Sequence, residues 1–425
     1  MADQTTTIPK GWKMTILGEV AEIKGGKRLP MGKTLVTQRT EHPYIRITDI
    51  ENNKIKKSQL QFVTDDVFSS ISRYIVNSGD VIVSIVGSIG FVAQIDDDLD
   101  KASLTENCVK FVNLKNLESR FLYYFLTSKS GQNEIERNTV GAVQKKLPIY
   151  GVQNIQFFLP QLPEQQAIAA VLSSLDDKIE LLREQNKTLE ATAQAIFKEW
   201  FVNFNFPGAT GKMIDSEIGE IPEGWRVGEI KDLCKKLASG GTPATIKKDY
   251  YDGDIDWFST KELQDNFIFE SDKKITKTGL ESSSAKVFPK GSVVMAIYAA
   301  PTVGRLGILG KEATFNQAAC GFVANEEIAS NEYIYLLLLS LRDDFNRLAN
   351  GAAQQNLNVG LVKNFTIIIP DKIIMTQFKA IVTPIFGKIL NNTSQIQTLS
   401  ALRDTLLPKL MKGEVRVEGF NDQTL

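Results

Sequence analysis

The sequence predicts an α+β protein built twice, with two similar globes alternating with two long helices. Three observations carry that prediction. Ile8-Pro9-Lys10-Gly11-Trp12 returns as Ile221-Pro222-Glu223-Gly224-Trp225, a shift of 213 residues. Asn154-Ile155-Gln156-Phe157-Phe158-Leu159-Pro160 returns as Asn364-Phe365-Thr366-Ile367-Ile368-Ile369-Pro370, a shift of 210. A long helical pattern follows each copy. So small a slip in register across a whole globe marks a duplicated domain, and any function must use two similar sites. The boundaries read as 1–160 and 207–370 for the globes, and 161–206 and 371–425 for the helical regions.

Within the first globe, Gly79-Asp80 opens the β-branched run Val81 to Val86, closed by Gly87, which reads as a buried strand. Its counterpart is Val293 to Ile297 after Lys290-Gly291. Ile155–Leu159 and Phe365–Ile369 read as strands stopped by proline, which cannot continue a ladder. Arg120–Leu126 and Tyr333–Leu341 read as matching helices. Trp12 and Trp225 occupy equivalent positions and read as core anchors, and Cys108 and Cys320 as equivalent small buried hydrophobes.

After Pro163, apolar residues fall at Ile168, Val171, Leu175, Ile179, Leu182, Leu189, Ala193, Ile196 and Trp200, with Asn186 in the one gap. From Ile179 onward the steps alternate three and four, the spacing of a coiled-coil seam. The second copy offers Ile389, Ile396, Leu399, Leu406 and Leu410, with Arg403 on the seam. A helix of about 35 residues spans roughly 50 Å and cannot bury such a seam alone. The expected partner is its own duplicate, packed antiparallel within the same chain, with Asn186 and Arg403 fixing register at some cost in stability. Phe206-Pro207-Gly208-Ala209-Thr210-Gly211 reads as a connector.

The chain is 425 residues long, beyond one ordinary core. No apolar run approaches the roughly 20 residues of a membrane helix, and no secretory signal is visible at Met1-Ala2-Asp3-Gln4. Three widely spaced cysteines fit a reducing compartment, so the expected location is the cytoplasm, with no membrane partner. A net charge of −1 rules out a polyanion sponge but not a local basic patch.

Catalytic chemistry is missing from the residues. His42 is the single histidine, with nothing nearby to make it the base of a nucleophile. No Cys/His cluster has zinc spacing. Gly32-Lys33-Thr34 ends like a phosphate loop, but Lys27 stands where its first glycine is required. Gly87-Ser88-Ile89-Gly90 lacks the glycine of a nucleophile elbow, since Val86 stands there. There is no dinucleotide fingerprint and no Asn-Pro-Pro-aromatic tetrapeptide. The expectation is a chain that performs no reaction of its own.

The local words of the sequence carry a family resemblance. Ile221-Pro222-Glu223-Gly224-Trp225 resembles the opening of a recognition domain in the specificity (S) subunit of type I restriction-modification systems, and Ser239-Gly240-Gly241-Thr242-Pro243 the turn that follows it. Gly141-Ala142-Val143-Gln144 and Gly351-Ala352-Ala353-Gln354 resemble the family's Gly-x-x-Gln motif. Leu159-Pro160-Gln161-Leu162-Pro163-Glu164-Gln165-Gln166 resembles the entry to the first conserved helix, and Leu402 to Leu410 the close of the second. The resemblance covers essentially the whole chain. It departs at Lys372-Ile373-Ile374-Met375-Thr376-Gln377, where only Gln377 is kept from the Pro-Glu-Gln-Gln entry. It departs again at Lys24-Gly25-Gly26-Lys27-Arg28, which lacks the Ser and Thr-Pro.

The resemblance implies two target-recognition domains separated by two conserved helices. Each domain would read one half of a bipartite, interrupted, asymmetric sequence in double-stranded DNA. It implies docking of two methyltransferase (modification) subunits and then of motor-nuclease (restriction) subunits. It also implies that this chain binds no cofactor, while the complex uses S-adenosylmethionine, and ATP with Mg2+ for restriction. Two readers on one face of B-DNA need a separation near one turn, about 34–36 Å, or a multiple, which a rigid helix pair can set.

For such a chain the candidate contacts are phosphate anchors and base-edge readers. In the first globe these are Lys24, Lys27, Arg28 and Lys33 as a phosphate clamp, Arg46 as a guanine contact with Thr48 nearby, and Lys145 and Lys146 beside Gln144. In the second they are Ser239 and Thr242 with Lys247 and Lys248, then Ser259, Thr260 and Lys261, and finally Gln354, Gln355 and Asn356. Two other readings stand beside this one: a recognition subunit of a restriction system of another type, and a scaffold that binds protein rather than DNA.

Overall fold

Leu162–Phe197 forms one helix of 36 residues and Lys372–Met411 one of 40, each starting two residues after the proline that ends a strand. A single π turn, Lys198–Val202, extends the first. The structure, a computed structural model, describes residues 9–298, 303–351 and 357–417. The chain divides into two units. One holds the residues up to Ile179 together with those from Thr398 onward, and the other is Glu180–Gln397. Each long helix therefore contributes to both.

In the first unit, the sheet runs in the order Glu22–Gly25, Cys108–Val112, Val81–Ser84, Val92–Gln94, every neighbour antiparallel. All four residues of Val81–Ser84 are buried, as a β-branched run in a central strand requires. The helix Ser119–Thr127 is capped by Glu118, whose carboxylate accepts from Phe121 N–H, and buries Phe121, Leu122, Tyr124, Phe125 and Leu126. Burying each of these large side chains is worth about 1.5–3 kcal/mol. Lys13–Ile16 pairs antiparallel with Gln156–Leu159, so the start and the end of the globe lie side by side.

The second unit repeats this plan. Its sheet runs Cys234–Ser239, Ala319–Ala324, Val293–Ala296, Leu306–Leu309, Asn266–Ile268, the last pair parallel. Arg226–Glu229 pairs with Thr366–Ile369. Ser330 caps the helix Asn331–Ser340 in the role Glu118 plays in the first unit. Trp12 and Trp225 are both buried. The two cysteines are not equivalent, however. Cys108 pairs with Ser84, whereas Cys320 pairs with Met295, one position further along the strand. Cys108 thus faces one side of its sheet and Cys320 the other, in different core clusters.

Within each unit the two helix segments run antiparallel. In the first, Arg403 donates to Asp176 at 2.8 Å, and Arg416, just past the second helix, reaches Glu164 near the start of the first. Asp176 also accepts from the Tyr124 hydroxyl at 2.8 Å, joining helix to globe. In the second unit, Asn392 is fully buried and donates to Asn186 at 2.9 Å, while Asn186 donates to Thr393 at 3.2 Å. Further along, Trp200 packs on Phe378. The apolar seam positions of the first helix are buried or half-buried, joined by Leu172 and Phe197.

The absence of any membrane-length apolar stretch does not hold on composition alone. Lys372–Met411 contains an 18-residue window of mean hydropathy 1.4. Its Phe378, Val382, Phe386 and Ile389 are spent on the core of the second unit.

Candidate nucleic-acid interface

At one end of each sheet, three chain segments are laced together by backbone hydrogen bonds. In the first unit Gly26 N–H donates to Cys108 O at 3.0 Å, Lys27 N–H to Leu104 O at 2.8 Å, and Thr105 N–H to Ile45 O at 3.1 Å. In the second, Gly240 N–H donates to Ala319 O at 3.0 Å, Gly241 N–H to Phe315 O at 3.0 Å, and Asn316 N–H to Phe258 O at 2.9 Å. The frames are the same because the same glycine permits them. A Cβ on Gly26 would lie 2.1 Å from Thr105 O, and one on Gly240 would lie 2.1 Å from Phe315 O. Only glycine allows so close a backbone approach.

The frame carries a short turn in each copy. Arg46 N–H donates to the Asp49 carboxylate at 2.9 Å, and Ser259 N–H to Glu262 at 2.7 Å. In both turns the acidic side chain three residues on caps the backbone N–H that opens a 3-10 turn. The Gly-x-x-Gln loop joins the frame from the other side. Val140 and Lys146 exchange two backbone bonds, Leu147 N–H donates to Ile85 O, and Ile85 N–H donates to Asn107 O. Gly141 at φ +99° lies so close to Gln144 O that a Cβ would sit 2.4 Å away. Leu357 N–H makes the corresponding bond to Ile297 O in the second unit.

A groove of about 460 Å3 opens on this frame in the first unit, bringing together Arg28, Arg46, Thr48, Thr105, Glu106 and Asn107. Arg28 Nε donates to Glu106 at 2.7 Å. Burial pushes the Glu106 carboxyl up, but Arg28, its own backbone and Thr105 more than offset this and leave it below the ordinary value. The hydrogen bond to Glu106 raises the Arg28 guanidinium in turn. Arg46 is committed inward. Its Nε and Nη2 hold both oxygens of Asp49, Nη1 donates to Gln61, and Nη2 also reaches Gln59 O at 3.1 Å. One Nη1 hydrogen is left, so a bidentate guanine contact requires Arg46 to give up Asp49, Gln61 or the Gln59 carbonyl. In the unbound chain Arg46 positions the turn.

The other candidates fall in several places. Thr48 is exposed on the groove. Lys27 is exposed and lies 5.5 Å from the Tyr74 ring centroid. Lys24 pairs with Glu22 at 3.2 Å and Lys33 with Asp66 at 2.7 Å, both outside the groove. Gln144, Lys145 and Lys146 are exposed, with Lys145 on a neighbouring groove of about 420 Å3 beside Gln132, Asn133 and Glu136. In the second unit Thr242 hydrogen-bonds to Gln317. Lys247 donates to the Tyr250 hydroxyl at 2.9 Å, and Lys248 is exposed. Ser239 is half-buried in its strand, and Ser259 is tied to Glu262. Thr260 is buried within the turn and presents nothing outward, while Lys261 beside it is exposed. Gln354, Gln355 and Asn356 lie outside the described residues.

Glu106 and Gln317 belong to no motif. The signal for them is a polar pair between two strands, Thr105-Glu106 and Asn316-Gln317, recurring at a shift of 211. Among the described residues, no group of three or more His, Cys, Asp or Glu side chains is arranged to hold a metal ion. His42 stacks on Phe68 at 3.8 Å and lies 3.3 Å from Asp65.

Two copies of one loop frame, with different side chains mounted on it, coincide with two segments of known pattern. The type I restriction modification DNA specificity domain matches residues 9–191 and again 222–398. The chain belongs to the type I restriction-modification DNA specificity family. Members of that family supply sequence recognition to a larger complex and are not catalytic themselves. The MjaIX type I restriction enzyme specificity subunit of Methanocaldococcus jannaschii is 29% identical over 428 residues, covering 97% of this chain and 95% of its own. The HindI specificity subunit of Haemophilus influenzae is 26% identical over 436 residues, covering 88% and 94%. The crystal structure of the type I restriction-modification S subunit from M. genitalium has the same fold, with a TM-score of 0.63 at 16% identity over 96% of this chain and 98% of that one.

Proposed function

We propose that residues 1–160 and 207–370 are two target-recognition domains, each reading one half of a bipartite, interrupted and asymmetric DNA site. The helical regions 161–206 and 371–425 set the spacer and dock two methyltransferase subunits, and motor-nuclease subunits join that assembly. The complex uses S-adenosylmethionine to methylate adenine, and ATP with Mg2+ to restrict. Its setting is the cytoplasm. The observation that carries this reading is the repeated loop frame, one per matched segment, held by the same backbone bonds but bearing different polar side chains.

On this reading Lys24, Lys27 and Lys33 supply phosphate anchors in the first domain, with Lys145 and Lys146 on the neighbouring loop. Lys247, Lys248 and Lys261 do so in the second. Phosphate contacts fix register and orientation, and the shorter polar side chains on the frame read base edges.

The test is to co-express the full chain with the methyltransferase subunit encoded beside it and to sequence the host DNA for adenine methylation. One interrupted motif with two unlike halves is the expected result. A stable complex that leaves host DNA unmodified, and binds no duplex in vitro, would replace this reading with that of a protein scaffold.

A further inference from the structure

Equivalent positions on the two frames bear one pair of side chains whose chemistry differs between the copies. Residue 28 corresponds to 242 and residue 106 to 317, because Gly26 and Gly240 make the same bond two residues before the first, and the sheet registers match. The first pair is Arg28 and Glu106, joined at 2.7 Å. The second is Thr242 and Gln317, joined hydroxyl to amide. Both pairs span the same gap between the same two segments.

We propose that these pairs determine specificity. Arg28, held by Glu106, reads a guanine in one half-site, and Gln317, held by Thr242, reads an adenine in the other. This rests on the bipartite-reading function proposed above. Three features favour base edges over phosphates. Among the described residues, Arg28 meets Glu106 through Nε alone, which leaves the two Nη groups as the edge that pairs bidentately with guanine O6 and N7. A carboxylate behind the arginine opposes the full charge of a phosphate far more than the neutral guanine edge, so Glu106 suits a base reader better than an anchor. Gln317 is exposed, and its Oε1 accepts from Thr242, which fixes the amide orientation. Its Nε2 then faces outward to donate to adenine N7, with an Oε1 lone pair left for N6–H. Glu106 and Thr242 are positioning residues. The exposures agree: the Arg28 side chain is 80% exposed and that of Glu106 is 30%.

The test uses the full chain co-expressed with its methyltransferase subunit, as wild type and as Arg28→Lys, Glu106→Gln and Gln317→Glu. Lysine keeps the charge but loses the planar fork, and a glutamate at 317 can only accept. Arg28→Lys and Glu106→Gln are expected to relax one base in one half of the methylated motif, and Gln317→Glu one base in the other half. In purified complexes, discrimination between the cognate duplex and a duplex altered at that base should fall on the order of tenfold. A variant that methylates nothing is scored by this ratio. An unchanged motif and ratio, or binding weakened equally on every sequence, overturns the assignment, since equal weakening is the mark of a phosphate contact. If wild type yields no motif, the reading beneath fails before any substitution is made.

Discussion

Trp12 donates its indole N–H to the buried carboxylate of Glu164 at 3.0 Å, which fastens the opening of the first globe to the start of the first long helix. Arg416 reaches the same carboxylate through Nε at 2.5 Å and Nη2 at 3.0 Å, and passes a further bond to Lys10 O. Next to Glu164, Gln165 is fully buried and binds Glu118 N–H, Asn116 O and Pro160 O. In the second unit these two positions are Ile374 and Met375, both buried, and Phe206 stacks on Trp225. Gln377, which the sequence offers as the retained residue, is exposed one turn further on. One joint is ionic and its duplicate is apolar.

Glu164→Ala should therefore destabilise the first unit by about 2–3 kcal/mol, because it leaves the buried Trp12 indole N–H without its acceptor and the exposed Arg416 without its partner. Ile374→Glu should cost the second unit at least as much, since no arginine waits there for the carboxylate. Urea unfolding followed by tryptophan fluorescence measures both. Either change tolerated without loss of stability, or Ile374→Glu costing less than Glu164→Ala, would contradict this pair of joints.

The frame glycines offer a sharper contrast. Gly26→Ala and Gly240→Ala each drive a methyl group into backbone carbonyls and should lower stability by about 2 kcal/mol or more. A Cβ on Gly25 meets nothing within 4 Å, so Gly25→Ala should stay within about 0.5 kcal/mol of wild type. Thermal midpoints of the three variants decide the point.

Asp256 is buried and accepts from Lys311 at 2.8 Å and from the backbone and hydroxyl of Ser271. Burial pushes its carboxyl up, and those partners overcome the push, leaving it below the ordinary carboxylate value. A depressed folded value contributes stability that is fully present above the unfolded value of about 4, and lost as pH falls through the folded one. Asp256→Asn is expected to lower the unfolding midpoint at pH 7 and to cost progressively less below about pH 4. A cost independent of pH would show that the charge plays no part.

Burial raises all three thiols, Cys108, Cys234 and Cys320, to about 12. At pH 8 each thiol therefore stays protonated. Ellman's reagent should label none of the three in the native chain and all three after denaturation. Rapid labelling of the folded protein would place a thiol at the surface instead.

The fold was legible wherever the signal was local. The β-branched run at Val81, the strands stopped by Pro160 and Pro370, and the seam from Ile168 to Trp200 all state their structure within a few residues. Sheet register was not, because pairing partners are distant, and a one-residue difference in spacing separated Cys108 from Cys320. The candidate interface divides the same way. The Gly-x-x-Gln loop and the frame glycines are visible as words. The capture of Arg46 by Gln61 and the pairing of Arg28 with Glu106 depend on residues 15 and 78 positions away. Glu164 illustrates the remaining gap: a short motif names it, but its partners Trp12 and Arg416 come from opposite ends of the chain.

That split has a consequence for synthesis. The second unit is one unbroken stretch, whereas the first needs residues from Thr398 onward, including Leu410 and Met411 in its core. On a ribosome, the globe that emerges first is the one completed last, after the second globe has left the exit tunnel. Any product that stops short of the second helix's final turns leaves the first globe open, with part of its apolar interior bare. Closure of that globe thus reports that translation has run through both globes.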